Sequence, residues 1–150
     1  MLTKKGFKAP IFIARDISGA TINLCDYRGK YVLLQFWASW CAPCLQEMPA
    51  IKKIHDSFTA DQLEVISITI DRDSVAFAKT MATNKMNWTN IFDKREDIYA
   101  IYGEKPVPSV YLINNEGVIV YSNREEDLNA LNDLLSKIHF SPRLNPSGQP

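Results

Sequence analysis

Two cysteines separated by two residues are the side chains of this sequence best suited to chemistry. Cys41 and Cys44 enclose Ala42 and Pro43, and a third cysteine, Cys25, stands alone. A CxxC pair can exchange a disulfide with a partner, form a structural bridge, supply half of a zinc site, or occur by chance. The spacing alone leaves these alternatives open, so the elements around the pair must decide between them.

Zinc is the first alternative to weigh, because it needs about four ligands. Beyond the pair the chain offers only Cys25, His55 and His139. No second CxxC and no HxxxH accompany them, so we expect no metal site. We interpret Cys25 as a small buried apolar residue and both histidines as exposed residues without a role.

The elements on either side of the pair favour redox chemistry. Residues 31–38 form an almost continuous apolar run, as in a central strand covered on both faces. A helical pattern follows the pair, with apolar residues every three or four positions, and Pro49 is expected to kink it. The members of this stripe are Leu45, Met48, Ile51, Ile54 and Phe58.

This arrangement places Cys41 where a strand ends and a helix begins. Free backbone N–H groups and the positive end of the helix dipole favour a thiolate there. The pKa of such a cysteine can fall from about 8.5 to roughly 3.5–7.5. Cys44 lies one turn further in and is less affected. Cys41 is therefore predicted to attack a partner disulfide and Cys44 to resolve the mixed disulfide.

Three neighbours of the cysteines are candidate substrate contacts. Ala42 and Pro43 hold the pair in a turn, and the fixed φ of proline suits the first turn of a helix. Trp40 precedes the nucleophile, and we expect it to shield one side of the site rather than to belong to the core.

The rest of the chain alternates strand and helix signals, which indicates an α/β domain. Strands are predicted at 21–24, 63–70 and 88–92, and helices around 75–82 and 128–138. Asp93 and Glu96 resemble a capping box that opens a short helix through Ile101. Residues 109–113 and 118–122 flank a turn and predict a β-hairpin. We expect one domain over 1–140 and a poorly ordered tail over 141–150.

Several separated motifs resemble the thioredoxin superfamily, and specifically its TlpA/ResA-like branch. The motif from Phe36 to Cys44 carries the resemblance, with Glu47, Pro49, Arg28-Gly29-Lys30 and Val107-Pro108 at the matching places. The match runs from about residue 8 to 138. The resemblance implies a thioredoxin fold: a mixed central sheet flanked by helices, N-terminal extension strands, and a helix and strand inserted over 72–95.

The resemblance also implies roles for residues outside the pair. The Val107–Pro108 bond should be cis and face the dithiol, which leaves the backbone of Val107 free to pair with an extended substrate. Pro106 is less usual for the family. Gln35 stands where thioredoxin has a buried aspartate, and an amide cannot act as a general base. Glu47 is expected to tune the thiols or relay their protons, although a solvated surface glutamate is the alternative.

Composition excludes some classes of partner. The 17 basic and 17 acidic residues cancel, and no basic cluster suggests nucleic-acid binding. No apolar run reaches the roughly 20 residues of a membrane span. We expect a monomer without a cofactor other than the Cys41–Cys44 disulfide. The resemblance implies that it acts on disulfides or dithiols of proteins, with a redox partner protein, outside the cytoplasm, as in cytochrome c maturation; a cytoplasmic role stays an alternative.

Three functions compete. Thiol–disulfide exchange with protein partners, with a preference for reduction, is the leading hypothesis. Peroxide reduction is the second, but Ala38 stands where a peroxidase typically has threonine or serine, three residues before Cys41. The third is a binding module in which the pair is a static bridge.

Overall fold

A five-stranded sheet forms the centre of the computed structural model, which describes residues 3–138. The strands are β1 (Ile13–Arg15), β2 (Thr21–Asn23), β3 (Tyr31–Trp37), β4 (Leu63–Thr69), β5 (Thr89–Phe92), β6 (Ser109–Ile113) and β7 (Ile119–Ser122). The helices are α1 (Ala42–Ser57), α2 (Ser74–Thr83), α3 (Asp97–Ile101) and α4 (Leu128–Lys137), with a 3₁₀ helix at Leu24–Tyr27.

The sheet is mixed, with the strand order β5-β4-β3-β6-β7. Strands β3, β4 and β5 are parallel, whereas β6 and β7 are antiparallel to their neighbours. Central β3 pairs with β4 and β6 and is buried from residue 32 to its end. This position explains its continuous apolar run, because both faces are covered.

Alternating side chains of β3 pack into two layers. Leu33 meets the buried faces of α1 and α4, through residues such as Ile51 and Leu131. Phe36 on the opposite face packs with Tyr102 after α3 and with the N-terminal segment around Phe12. The sheet therefore lies between helices on one side and α3 with the extension on the other.

The features expected from the family resemblance are confirmed. Strands β1 and β2 form the antiparallel N-terminal extension, of which only β2 was predicted by residue number. Helix α2 and β5 form the insertion between β4 and α3. Hairpin β6–β7 and the apolar face of α4 also match the prediction. The tail over 141–150 lies outside the described residues, as does His139.

Local details differ from the sequence prediction in two helices. Asp93 caps α3 by accepting hydrogen bonds from the N–H groups of Ile98 and Tyr99. The predicted capping box is wrong, because Glu96 is itself the N-cap residue of α3 and its side chain makes no capping hydrogen bond. Helix α2 begins at Ser74 and buries Phe77, whereas Val75, where the helix was predicted to begin, is 75% exposed.

No helix within residues 3–138 is long and apolar enough to cross a membrane.

Candidate active site

Cys41 and Cys44 form a disulfide at the start of α1, with their Cα atoms 5.3 Å apart. Cys41 is the N-cap residue, and its sulfur accepts the backbone N–H of Cys44 at 3.2 Å. The sulfur thus satisfies one of the N–H groups that a helix start leaves free. The same hydrogen bond would favour a thiolate on Cys41 in the reduced protein.

The two cysteines differ slightly in exposure. Cys41 is 5% exposed, whereas Cys44, in the first turn of α1, is fully buried. Ala42 and Pro43 between them are exposed, and Trp40 is 68% exposed. A partner sulfur can therefore approach Cys41 first, and Trp40 lies in solvent beside it rather than in the core.

An open cleft of about 520 Å³ borders the loop before Cys41. It is lined by Ser39 and Trp40 on this loop, and by Arg72, Asp73 and Ala76 at the start of α2. The insertion thus contributes to the surroundings of the dithiol. The cleft reaches Ser39 and Trp40, the two residues that precede Cys41.

The loop between α3 and β6, which contains Val107 and Pro108, completes the site. The Val107–Pro108 peptide bond is cis, as predicted. Val107 packs against the apolar cluster that contains Cys41 and Cys44. Within residues 3–138, no hydrogen bond engages the backbone N–H or C=O of Val107. An unpaired peptide group beside the dithiol is suited to pairing with an extended segment.

Comparisons with known proteins agree with this geometry. The model of the AhpC/TSA family matches residues 6–122. The thiol-disulfide oxidoreductase ResA of Bacillus thuringiensis subsp. konkukian is 31% identical over 134 residues, covering 89% of this chain and 78% of that protein. ResA of Bacillus subtilis is 31% identical over 116 residues, covering 77% of this chain and 65% of that protein.

The chain belongs to the AhpC/TSA family, as a TlpA/ResA-like member of the thioredoxin superfamily.

Solved structures support the same assignment. The thioredoxin domain of a thiol-disulfide oxidoreductase from Bacteroides vulgatus has a TM-score of 0.79 at 27% identity, covering 91% of this chain and 98% of that one. A thiol:disulfide interchange protein DsbE from Chlorobium tepidum, described as putative, has a TM-score of 0.76 at 28% identity, covering 89% and 97%. This TlpA/ResA-like protein is an enzyme of thiol–disulfide exchange, with a CxxC pair at disulfide distance.

Gln35 departs from thioredoxin in this TlpA/ResA-like protein, and it is fully buried on β3. Its carbonyl oxygen accepts the hydroxyl of Ser67 at 2.7 Å, and Ser67 in turn accepts the indole N–H of Trp88 at 2.8 Å. Its amide nitrogen lies 4.0 Å from the sulfur of Met48, one turn after Cys44. The position is thus occupied by a neutral hydrogen-bonded chain and supplies no ionisable group.

Glu47 lies on α1 one turn after Cys44 and is half-buried. Burial raises the pKa of its carboxyl group above the ordinary value. Burial, and secondarily the charge of Glu47, raise the pKa of Tyr121 to about 12. Glu47 is therefore no fully solvated glutamate, and its protonation responds to its surroundings.

Sequence reasoning missed Asp71, which braces the loop that carries the nucleophile. This carboxylate is 2% exposed. It accepts the backbone N–H of Ser39 at 3.0 and 3.1 Å, the Ser39 hydroxyl at 2.7 Å and the Thr69 hydroxyl at 2.6 Å. The available signal was an aspartate directly after the predicted strand 63–70. A carboxylate that is buried at such a place needs hydrogen-bond donors, and the neighbouring loop can supply them.

Two predictions about bystanders were wrong. Cys25 is exposed and free rather than buried, because Leu24 takes the buried position of the 3₁₀ helix. His55 is half-buried, and its ring centroid lies 5.1 Å from that of Trp88.

Among the described residues, no group of three or more His, Cys, Asp or Glu side chains is arranged to hold a metal ion.

Proposed function

We propose that this protein passes two electrons from the Cys41–Cys44 dithiol to disulfides of protein partners outside the cytoplasm. The observation that carries the proposal is the place of Cys41, whose sulfur caps the start of α1 and which is 5% exposed, whereas Cys44 is 0% exposed. Apocytochrome c, whose cysteines must be thiols before haem is attached, is the substrate class that the TlpA/ResA-like resemblance supports.

The reaction is two successive thiol–disulfide exchanges. The Cys41 thiolate attacks one sulfur of the partner disulfide, so that bond breaks and one partner thiolate leaves. Cys44 then loses its proton and attacks the Cys41 sulfur, which releases the second partner thiolate and closes the Cys41–Cys44 disulfide. The partner is reduced by two electrons, and its two thiolates take up the protons that the dithiol gave up. A redox partner protein returns the pair to the dithiol, and no further cofactor is needed.

The residues around the pair are proposed to bind the substrate chain. Trp40, Ala42 and Pro43 offer an exposed surface next to Cys41. Val107 offers its unpaired peptide groups, and Pro108 shapes the loop. The segment that flanks the partner cysteine would lie extended between these two surfaces.

Glu47 is proposed to take the proton from Cys44 or to tune both thiols. It follows Cys44 by one helical turn, so the two side chains share a helix face. Its raised pKa brings the carboxylate closer to the range in which proton transfer to and from a thiol is efficient.

Reduction of insulin disulfides tests the reaction class. The wild type and Cys25→Ser should reduce insulin with dithiothreitol as electron donor, whereas Cys41→Ser and Cys44→Ser should lose the activity. Cys44→Ser should also trap a mixed disulfide through Cys41. Equal activity of Cys41→Ser and the wild type would refute the proposed exchange reaction and favour the alternative of a binding module with a static disulfide.

The direction of electron flow is tested by the reduction potential of the pair, measured by equilibration with glutathione. A reductant should lie below the value of about −180 mV that is typical of protein disulfide isomerase. A potential near −120 mV, as for a strong oxidant, would contradict the preference for reduction.

A further inference from the structure

Two consecutive side chains after β7 hold the loop that contains Val107. The amide nitrogen of Asn123 donates to the carbonyl of Pro108 at 2.8 Å. The amide oxygen of Asn123 accepts the N–H of Val110 at 3.0 Å, and the Asn123 backbone N–H donates to the Val110 carbonyl at 3.1 Å. Asn123 is thus fixed to β6 and reaches back to the loop.

Arg124 engages the other end of the same loop. One guanidinium nitrogen donates to the carbonyl of Pro106, to the Ser109 hydroxyl at 3.2 Å and, more distantly, to the carbonyl of Pro108 at 3.5 Å. The Ser109 hydroxyl also donates to the Pro106 carbonyl at 2.9 Å. We call Asn123 and Arg124 the loop clamp.

The loop depends on such partners because its sequence is Pro106-Val107-Pro108. Proline has no backbone N–H, so these three residues offer a single donor and three carbonyls. The loop cannot be held by a backbone ladder of its own. The loop clamp occupies the carbonyls before and after Val107 and leaves the peptide groups of Val107 itself unpaired.

We propose that Asn123 and Arg124 are positioning residues for substrate docking. They hold the backbone of Val107 at a fixed place beside Cys41 and Cys44, so that the segment flanking a partner cysteine pairs with a preformed edge. This inference rests on the proposed docking role of Val107. Preorganisation of the edge lowers the ordering cost of binding a polypeptide, whereas a small disulfide that needs only Cys41 gains nothing from it.

The test compares a protein substrate with a small one. Arg124→Ala removes the guanidinium, and Asn123→Asp keeps the shape and the acceptor for Val110 but replaces the donor to Pro108 by an oxygen. Arg15→Ala, an exposed arginine on β1, is the matched control. The readouts are KM and kcat for insulin, the rate with Ellman's reagent, and the Cys41 pKa from the pH dependence of alkylation.

For both clamp variants we expect KM for insulin to rise about fivefold to tenfold, as for the loss of one or two hydrogen bonds. kcat, the rate with Ellman's reagent and the Cys41 pKa should stay at wild-type values, as should all values of Arg15→Ala. An unchanged KM in the isosteric Asn123→Asp, or a parallel loss with Ellman's reagent, would overturn the clamp. Absence of insulin reduction in the wild type would instead overturn the proposed function.

Discussion

The half-buried carboxyl group of Glu47 has a consequence for stability that depends on pH. Its pKa is raised by burial in the folded protein, so the folded state binds this proton more tightly than the unfolded state does. The protonated Glu47 contributes its full stability below the pKa that this group has in the unfolded chain. That contribution is lost as the pH rises through the higher pKa of the folded protein. Ionisation of Glu47 therefore opposes folding at neutral pH.

We predict that Glu47→Gln is more stable than the wild type at pH 7 and that this advantage disappears below about pH 4, the ordinary range of a glutamate. Urea unfolding of the oxidised protein between about pH 3 and pH 8 measures it, with the exposed Glu116→Gln as the control. A constant difference across this range would contradict the prediction. In the reduced protein, unchanged thiol pKa values in Glu47→Gln would remove this residue from the mechanism.

Cys25 shows what a single residue leaves undetermined. A lone cysteine is usually a small buried apolar residue. The short 3₁₀ helix can bury either Leu24 or Cys25, and the larger side chain of Leu24 occupies the interior. An element of four residues is too short for a hydrophobic period to show which of its side chains is buried. The exposed thiol must be replaced before the dithiol is studied by alkylation.

At the scale of elements, the end of β4 stabilises the loop between β3 and α1. Asp71 follows β4 and binds Ser39 of that loop through its N–H and its hydroxyl. Strands β3 and β4 are parallel neighbours in the sheet, so their carboxyl ends lie at the same edge. The turn that presents Cys41 is thus fixed to the sheet as well as to α1.

We predict that Asp71→Asn destabilises the protein by about 1–3 kcal/mol, because the amide presents a donor to groups that are themselves donors. The matched control is Asp133→Asn, whose exposed ion pair with Lys137 should contribute less than about 1 kcal/mol. Urea unfolding compares the two variants. If Asp71→Asn cost no more than the control, the loop would not depend on this carboxylate.

Elements whose pattern is local were predictable. The period of 3.6 in α1 and α4, the buried run of β3 and the turn of the hairpin all follow from neighbouring residues. The position of Cys41 at a helix start followed from the same patterns. Local patterns therefore suffice to place the dithiol between a buried strand and an amphipathic helix.

Features that depend on distant partners were not predictable in this way. Asp71 binds a residue 32 positions away, and Arg124 binds the loop 15 to 18 positions before it. The loop clamp has no periodicity, and each polar side chain has many alternative partners in a sequence. The cis bond before Pro108 came from the family resemblance, since a proline alone is usually trans.

At the scale of the whole molecule, the N-terminal segment extends the sheet beyond β7. Gly6 donates to the carbonyl of Ile119, Ile119 donates to that of Phe7, and Ala9 donates to that of Gly117. At the opposite edge, Ile17 donates to the carbonyl of Asn90 on β5. Both edges of the sheet are thus engaged by the N-terminal segment, which leaves fewer free backbone groups for pairing with another chain.

The central claim is that the fold ionises Cys41 in preference to Cys44. It is tested most directly by the pH dependence of iodoacetamide alkylation of the reduced Cys25→Ser protein, with each site quantified by mass spectrometry. We predict that Cys41 reacts first, with an apparent pKa within roughly 3.5–7.5 rather than near the free value of about 8.5. A Cys41 pKa at or above that free value, or faster alkylation of Cys44, would contradict the account.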